Sequence, residues 1–87
     1  MQKKYSDIKK IFYKALEHHK KNNLIEAEKL YNQALKINPN HFESTFYLAS
    51  LFSQKKNLIK AQEFFEKSIK IKPYYDIAYS NLGAILK

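Results

Sequence analysis

The chain has 87 residues, with one glycine, two prolines and no cysteine, and its 16 basic and 8 acidic residues give a formal net charge of +8. The lack of cysteine excludes disulfides, thiolate metal sites and cysteine nucleophiles, and the scarcity of turn-forming residues argues against a hairpin-rich β fold. No segment approaches the roughly 20 apolar residues of a membrane span, so we expect a cytoplasmic protein with no membrane partner.

Helical periodicity extends along the chain. Apolar residues recur three and four positions apart, with lysine and other polar residues between them, which is typical of amphipathic α-helices. Pro39 and Pro73 cannot lie inside a helix, so each separates one helix from the next. In chain order, the pattern predicts five antiparallel helices, at about 7–21, 24–37, 41–54, 58–71 and 75–87.

Two helix starts show the spacing of a capping box. Asn23 is followed three residues later by Glu26, and Asn40 is followed by Glu43. In such a box the first side chain accepts a hydrogen bond from an amide of the first turn, and the glutamate reaches back. We therefore expect Asn23 and Asn40 to cap the second and third helices, and His41 to be a helix-start residue rather than a metal ligand.

The first two pairs of helices repeat one another. When residues 8–41 are laid over residues 42–75 without a gap, 11 of 34 positions are identical, and the two prolines coincide. An amphipathic two-helix unit cannot bury its apolar face alone, so repeated units must stack. Recurrent small residues allow the paired helices to approach closely, and Tyr31 and Phe65 are expected to fill the space beside them; these small residues are Ala15, Ala27, Ala49 and Ala61.

The period of 34 residues resembles the tetratricopeptide repeat family. The resemblance is carried by Leu48-Ala49-x-x-Phe52, Ala61-x-x-x-Phe65 and Pro73 in the second unit, and by Tyr79-x-x-Leu82-Gly83-x-x-Leu86 in the third. The first unit departs from the family pattern at Lys14 and His18, where leucine and an aromatic residue are expected. The resemblance implies an all-α, helical-hairpin solenoid in one domain, 1–87, made of repeat one (8–41), repeat two (42–75) and a half repeat (76–87).

In this family the first helix of each repeat lines a concave groove that holds a peptide or a partner helix. The resemblance therefore implies a non-catalytic interaction scaffold whose partner is another protein or peptide. Lysines beside aromatic rings favour an acidic and aromatic partner segment. Phe12 and Phe46 could instead pack between the repeats, whereas Tyr13 and Tyr47 are expected to be partly exposed. The groove candidates are Lys9, Phe12, Tyr13, Leu16, His19, Lys20, Glu43, Phe46, Tyr47, Ser50, Gln54 and Asn81.

Two alternatives to the groove remain open at this stage. The lysine-rich blocks 1–21 and 55–75 could bind RNA or another polyanion, although nucleic acid is the less favoured partner because every basic residue is lysine and none is arginine. The last helix lacks the second half of its repeat, so an apolar patch of Tyr79, Leu82 and Leu86 could pair with a second copy in a homodimer. The chain could also be the N-terminal part of a larger protein.

No residue pattern predicts catalysis, a metal or a cofactor. His18 and His19 are neighbours on a helix and point in different directions, whereas a helical metal pair needs a spacing of four. The single glycine excludes a glycine-rich loop that could cradle a phosphate. We therefore expect a protein that is not an enzyme.

Overall fold

A computed structural model of the chain describes residues 2–73, with side chains from residue 7 onward. This part of the chain contains four helices: α1 (Gln2–Lys20), α2 (Leu24–Ile37), α3 (Phe42–Gln54) and α4 (Leu58–Ile71). Within residues 2–73 the structure thus shows four helices, against the five predicted for the whole chain. The predicted fifth helix, 75–87, with the half repeat and its patch of Tyr79, Leu82 and Leu86, lies outside the described residues.

The predicted bounds of α2 and α4 are confirmed, and α3 begins at Phe42 instead of residue 41. The start of α1 was predicted too late, because the helix already begins at Gln2 rather than at about residue 7. The residues before Asp7 include neither glycine nor proline, and glutamine and lysine are good helix formers. The helix therefore extends beyond the point where its apolar periodicity begins.

The four helices form two antiparallel hairpins. In the first hairpin α1 packs against α2, in the second α3 packs against α4, and α2 packs against α3 between them. The four small residues Ala15, Ala27, Ala49 and Ala61 are completely buried, as the pattern predicted. Tyr31 is also completely buried and Phe65 is 2% exposed, so large rings do occupy the space beside these close approaches.

Both hairpin turns share a geometry that the sequence did not reveal. Asn22 and Lys56 lie one repeat apart and adopt positive φ angles of 65° and 66°. After each of them, an N–H returns to a carbonyl five residues earlier, from Asn23 to His18 at 2.8 Å and from Asn57 to Phe52 at 2.9 Å. Glycine is the usual residue at such helix ends. Lysine in this conformation costs about 1 kcal/mol, which the repeated turn tolerates.

The predicted caps are only partly right. Asn23 makes no side-chain cap bond, and its Nδ2 lies 3.3 Å from Nδ1 of His18. Asn40 does not cap α3, because its backbone N–H donates to Oδ1 of Asn38 at 3.0 Å and holds it in the preceding turn. His41, which was expected to be a helix-start residue, is the N-cap of α3, and Asn57 caps α4.

The two hairpins are joined by aromatic packing around Phe12. Its ring lies 6.0 Å from that of Tyr31 in the same hairpin and 5.6 Å from that of Tyr47 in α3. His41 meets the same ring edge-on at 5.5 Å. The equivalent ring in the second hairpin, Phe46, lies 5.8 Å from Phe65. Phe12 thus contacts both repeats, and its packing holds α1 beside α3.

Candidate functional site

The first helices of the two hairpins, α1 and α3, lie side by side and form a groove between them. At one end of this α1–α3 groove is an open cleft of about 480 Å³, which we call the Lys20 cleft. Both helices contribute three side chains to it. They are Leu16, His19 and Lys20 from α1, and Tyr47, Ser50 and Gln54 from α3.

A second open cleft, which we call the Tyr13 cleft, has a volume of about 410 Å³. It combines exposed aromatic surface with charges of both signs, because the ring of Tyr13 is 54% exposed and Lys9 and Glu43 both contribute. Its lining residues are Ile8, Lys9, Phe12, Tyr13, Asn38, His41 and Glu43.

The structure brings most of the groove candidates together. Lys9, Phe12, Tyr13 and Glu43 line the Tyr13 cleft, and the six residues of the Lys20 cleft were all candidates. Phe46 lines neither of these two clefts. Asn81 lies outside the described residues.

The four aromatic candidates differ in exposure. Phe12 and Phe46 are each 8% exposed, so their rings serve mainly to pack the helices together. Tyr13 is exposed and Tyr47 is half-buried, which agrees with the partial exposure expected of the phenols. The groove therefore presents tyrosine surface, with the phenylalanines beneath it.

Three lining residues of the Tyr13 cleft were not candidates: Ile8, Asn38 and His41. Asn38 and His41 come from the connection between α2 and α3. The family resemblance places the groove on the first helix of each repeat, so it does not point to residues of a connection. The one indication in the sequence that His41 belongs to a defined local structure is its position at a helix start, two residues after Pro39.

His19 connects three helices at the floor of the Lys20 cleft. Its Nδ1 accepts a hydrogen bond from the Tyr31 hydroxyl at 2.9 Å, and its Nε2–H donates to Oε1 of Gln54. Burial, with a smaller contribution from neighbouring Tyr47, raises the pKa of Tyr31 well above its usual value. The phenol therefore stays protonated and remains a donor. This arrangement ties α1 to α2 and α3 and fixes the position of the imidazole in the lining of the cleft.

His41 closes the opposite end of the groove. Its Nδ1 accepts from the backbone N–H of Ser44 at 3.3 Å and from the Ser44 hydroxyl at 2.7 Å, while Nε2 lies 3.6 Å from Glu43 Oε1. Desolvation lowers the pKa of His41, and the nearby carboxylate of Glu43 offsets part of this effect. The neutral imidazole is the form that can cap α3, because a proton on Nδ1 would remove the acceptor.

Folding stability should therefore fall as the pH falls below about 6.5, the ordinary pKa of histidine. Because the pKa of His41 is lower in the folded chain, the unfolded chain takes up this proton first, and acidification favours unfolding until folded His41 is protonated too. His41→Asn keeps an N-cap acceptor but removes the titration. We expect a flatter dependence of the free energy of unfolding on pH in this variant, measured by urea denaturation across the range.

The wild-type protein and His41→Asn share His18 and His19, so the difference between their two pH profiles isolates His41. Parallel profiles would contradict the assigned shift of its pKa.

The contacts of Ser44, His41 and Glu43 resemble the order of a catalytic triad, but their burial gives them a different role. Ser44 is completely buried, and its hydroxyl belongs to the cap of α3. A nucleophile must reach its substrate, so Ser44 has a structural role. Across residues 2–73 there is no group of three or more histidine, aspartate or glutamate side chains that could hold a metal ion. Nor is any helix in that range long and apolar enough to cross a membrane.

Comparison with known protein families gives two matches. Two family models, both described as a tetratricopeptide repeat, match residues 9–41 and residues 30–63. The first match covers α1 from Lys9 onward and all of α2, and the second runs from within α2 through α3 into α4. Together they extend over more than half of the chain. No curated protein matches the chain significantly.

Proposed function

The chain belongs to the tetratricopeptide repeat family, whose members generally mediate protein–protein interaction, and we propose that it binds an extended segment of a partner protein in the α1–α3 groove. The observation that carries this proposal is the Lys20 cleft, to which α1 and α3 each contribute three side chains. A site assembled from two repeats exists only in the stacked fold, as expected for a binding surface that the solenoid creates.

The side chains of the groove favour a particular partner chemistry. Tyr13 and Tyr47 offer rigid rings with polar ends, which contribute large contact area at low cost in conformational entropy. The Tyr13 cleft carries Lys9 and Glu43, so its charges balance, and its ring surface suits an aromatic or aliphatic residue. Among the described residues that line the Lys20 cleft, Lys20 is the one that carries a charge. We therefore assign an aromatic residue of the partner to the Tyr13 cleft and an acidic residue to the Lys20 cleft.

Selection from a displayed library of random peptides tests this assignment. Peptides that bind the wild-type chain should be enriched in an aromatic residue followed or preceded by aspartate or glutamate. For a synthetic peptide of this kind, Tyr13→Ala should weaken binding by about tenfold or more, as expected when a central aromatic contact is truncated. Lys20→Glu should have a similar effect because it replaces attraction with repulsion. Fluorescence anisotropy of the labelled peptide measures both.

Lys70→Glu provides a charge-matched control, since it makes the same change in net charge on α4, outside both clefts. Its affinity for the peptide should equal that of the wild type. Equal losses for Lys20→Glu and Lys70→Glu, with a steep fall of affinity in salt, would point to unspecific binding of polyanions through the lysine blocks and would overturn the groove proposal.

A further inference from the structure

A second surface, independent of the groove, lies at the tips of the two hairpins. Ile25, in the first turn of α2, is 70% exposed, and Ile59, in the first turn of α4, is 77% exposed. Leu58 beside it is 49% exposed. Ile25 and Ile59 are identical residues exactly one repeat apart, so stacking of the repeats places them in a row along one edge. We call this surface, together with Lys21, Lys56 and Lys60, the hairpin-tip edge.

An ion pair between the repeats shows that the two tips are neighbours. Lys55 Nζ lies 3.1 Å from Glu28 Oε1. Glu28 is three residues after Ile25, and Lys55 is three residues before Leu58. The N-terminal part of α2 therefore lies near the turn that precedes α4, which places the exposed aliphatic side chains along one edge.

The hairpin-tip edge carries positive charge. The two acidic residues near Ile25 are both paired with lysine: Glu28 with Lys55, and Glu26 with Lys29 at 3.6 Å. Three further lysines within four residues of these aliphatic residues in the sequence are exposed, namely Lys21, Lys56 and Lys60, and Nζ of Lys60 lies 5.3 Å from the centroid of the Phe52 ring. The edge thus combines protruding aliphatic side chains with exposed lysines.

We propose that the hairpin-tip edge binds the surface of an anionic lipid bilayer. Aliphatic side chains at such an interface enter the boundary of the acyl chains, while lysines reach the negative headgroups, each contributing about 1 kcal/mol. Ile25 and Ile59 are exposed over most of their surface, at 70% and 77%, and neither they nor Leu58 line either of the two clefts. A lipid bilayer can deform around such a row of protruding side chains.

The backbone of the tips is also suited to this contact. Polar backbone groups that enter an apolar region without a partner are costly. At each turn one carbonyl near the helix end is already bonded, since the N–H groups of Asn23 and Asn57 donate to the carbonyls of His18 and Phe52. The absence of a membrane span in the sequence led to the expectation of no membrane partner, but a contact with the bilayer surface requires no span.

Sedimentation with lipid vesicles tests the proposal. The wild-type chain should sediment with vesicles of phosphatidylcholine mixed with phosphatidylserine, and much less with vesicles of phosphatidylcholine alone. The double variant Ile25→Ser and Ile59→Ser should bind the mixed vesicles about tenfold more weakly, because it removes the inserting groups. Both side chains are exposed, so circular dichroism should show an unchanged fold. Lys21→Glu combined with Lys60→Glu should weaken binding by about tenfold or more.

Lys14→Glu combined with Lys70→Glu makes the same change in net charge away from the edge and should have a much smaller effect. Equal loss in the two charge variants would show unspecific attraction and overturn the proposal. The proposal would also be overturned if the double variant Ile25→Ser and Ile59→Ser bound the mixed vesicles as tightly as the wild type. Lack of vesicle binding, together with self-association that the isoleucine variant abolishes, would instead assign the edge to a second copy of the chain. Since Tyr13 and Lys20 lie outside the edge, failure here would leave the peptide result unaffected.

Discussion

Replacing Tyr31 with alanine is expected to lower the free energy of unfolding by about 3–5 kcal/mol, the range for deleting a buried aromatic side chain. The ring is completely buried between the helices, 6.0 Å from Phe12 and 6.3 Å from Tyr47, and the hydroxyl donates to His19. A chain of this length has a total stability of roughly 4–13 kcal/mol. The variant should therefore be largely unfolded on moderate warming, which circular dichroism at increasing temperature would show.

Tyr31→Phe separates the hydroxyl from the ring. It removes the donor to His19 Nδ1 and should cost about 1 kcal/mol. The second repeat already has Phe65 at the equivalent position, with 2% exposure, so the phenylalanine ring is compatible with this site. If Tyr31→Ala cost no more than Tyr31→Phe, the ring would not be the filler of the first hairpin, and the packing described above would be wrong.

Phe12→Ala should lower the free energy of unfolding by about 3–4 kcal/mol, because it leaves a cavity where the two hairpins meet. The ring contacts Tyr31 in its own hairpin, and Tyr47 and His41 across the junction. The loss should therefore weaken the stacking of one repeat on the other, not just the packing of α1 on α2. Urea denaturation monitored by circular dichroism gives the magnitude.

Tyr13→Ala is the matched control, since it removes a ring of similar size from the next position on the same helix. Tyr13 is 54% exposed, so its removal should change stability by only about 0.5 kcal/mol, while weakening the binding of the acidic and aromatic peptide. Similar destabilisation by Phe12→Ala and Tyr13→Ala would contradict the assignment of one ring to the core and the other to the groove.

Much of the helical organisation could be predicted from the sequence because its signals are local. The bounds of α2 and α4 follow from an apolar periodicity that begins after Asn23 or Asn57 and ends before a proline. The start of α1 was predicted too late because the prediction followed the apolar periodicity. The helix itself extends further, since no glycine or proline interrupts the residues before Asp7. The cap of α3 was assigned to Asn40 instead of His41, because the bond from the Asn40 N–H to Asn38 depends on the path of the connection.

The groove was predictable to the extent that a repeat places equivalent positions on equivalent helices. This logic located the six residues of the Lys20 cleft before their geometry was known. It could not foresee that His19 would be bonded on both ring nitrogens, because those contacts depend on helix depth and on the tautomer. The left-handed backbone conformation of Lys56 could not be predicted either, since glycine, not lysine, is the usual residue in such a turn.

The order of the packing contacts has a consequence for synthesis on the ribosome. Because each helix packs mainly against the next along the chain, α1 and α2 can pair once Ile37 has emerged, before α4 exists. Local contacts of this kind close short loops and form quickly. One hairpin cannot bury its apolar face alone, and Phe12 lacks two of its partners until Tyr47 and His41 arrive. The first hairpin can thus form first, and the second repeat then packs against it as it emerges.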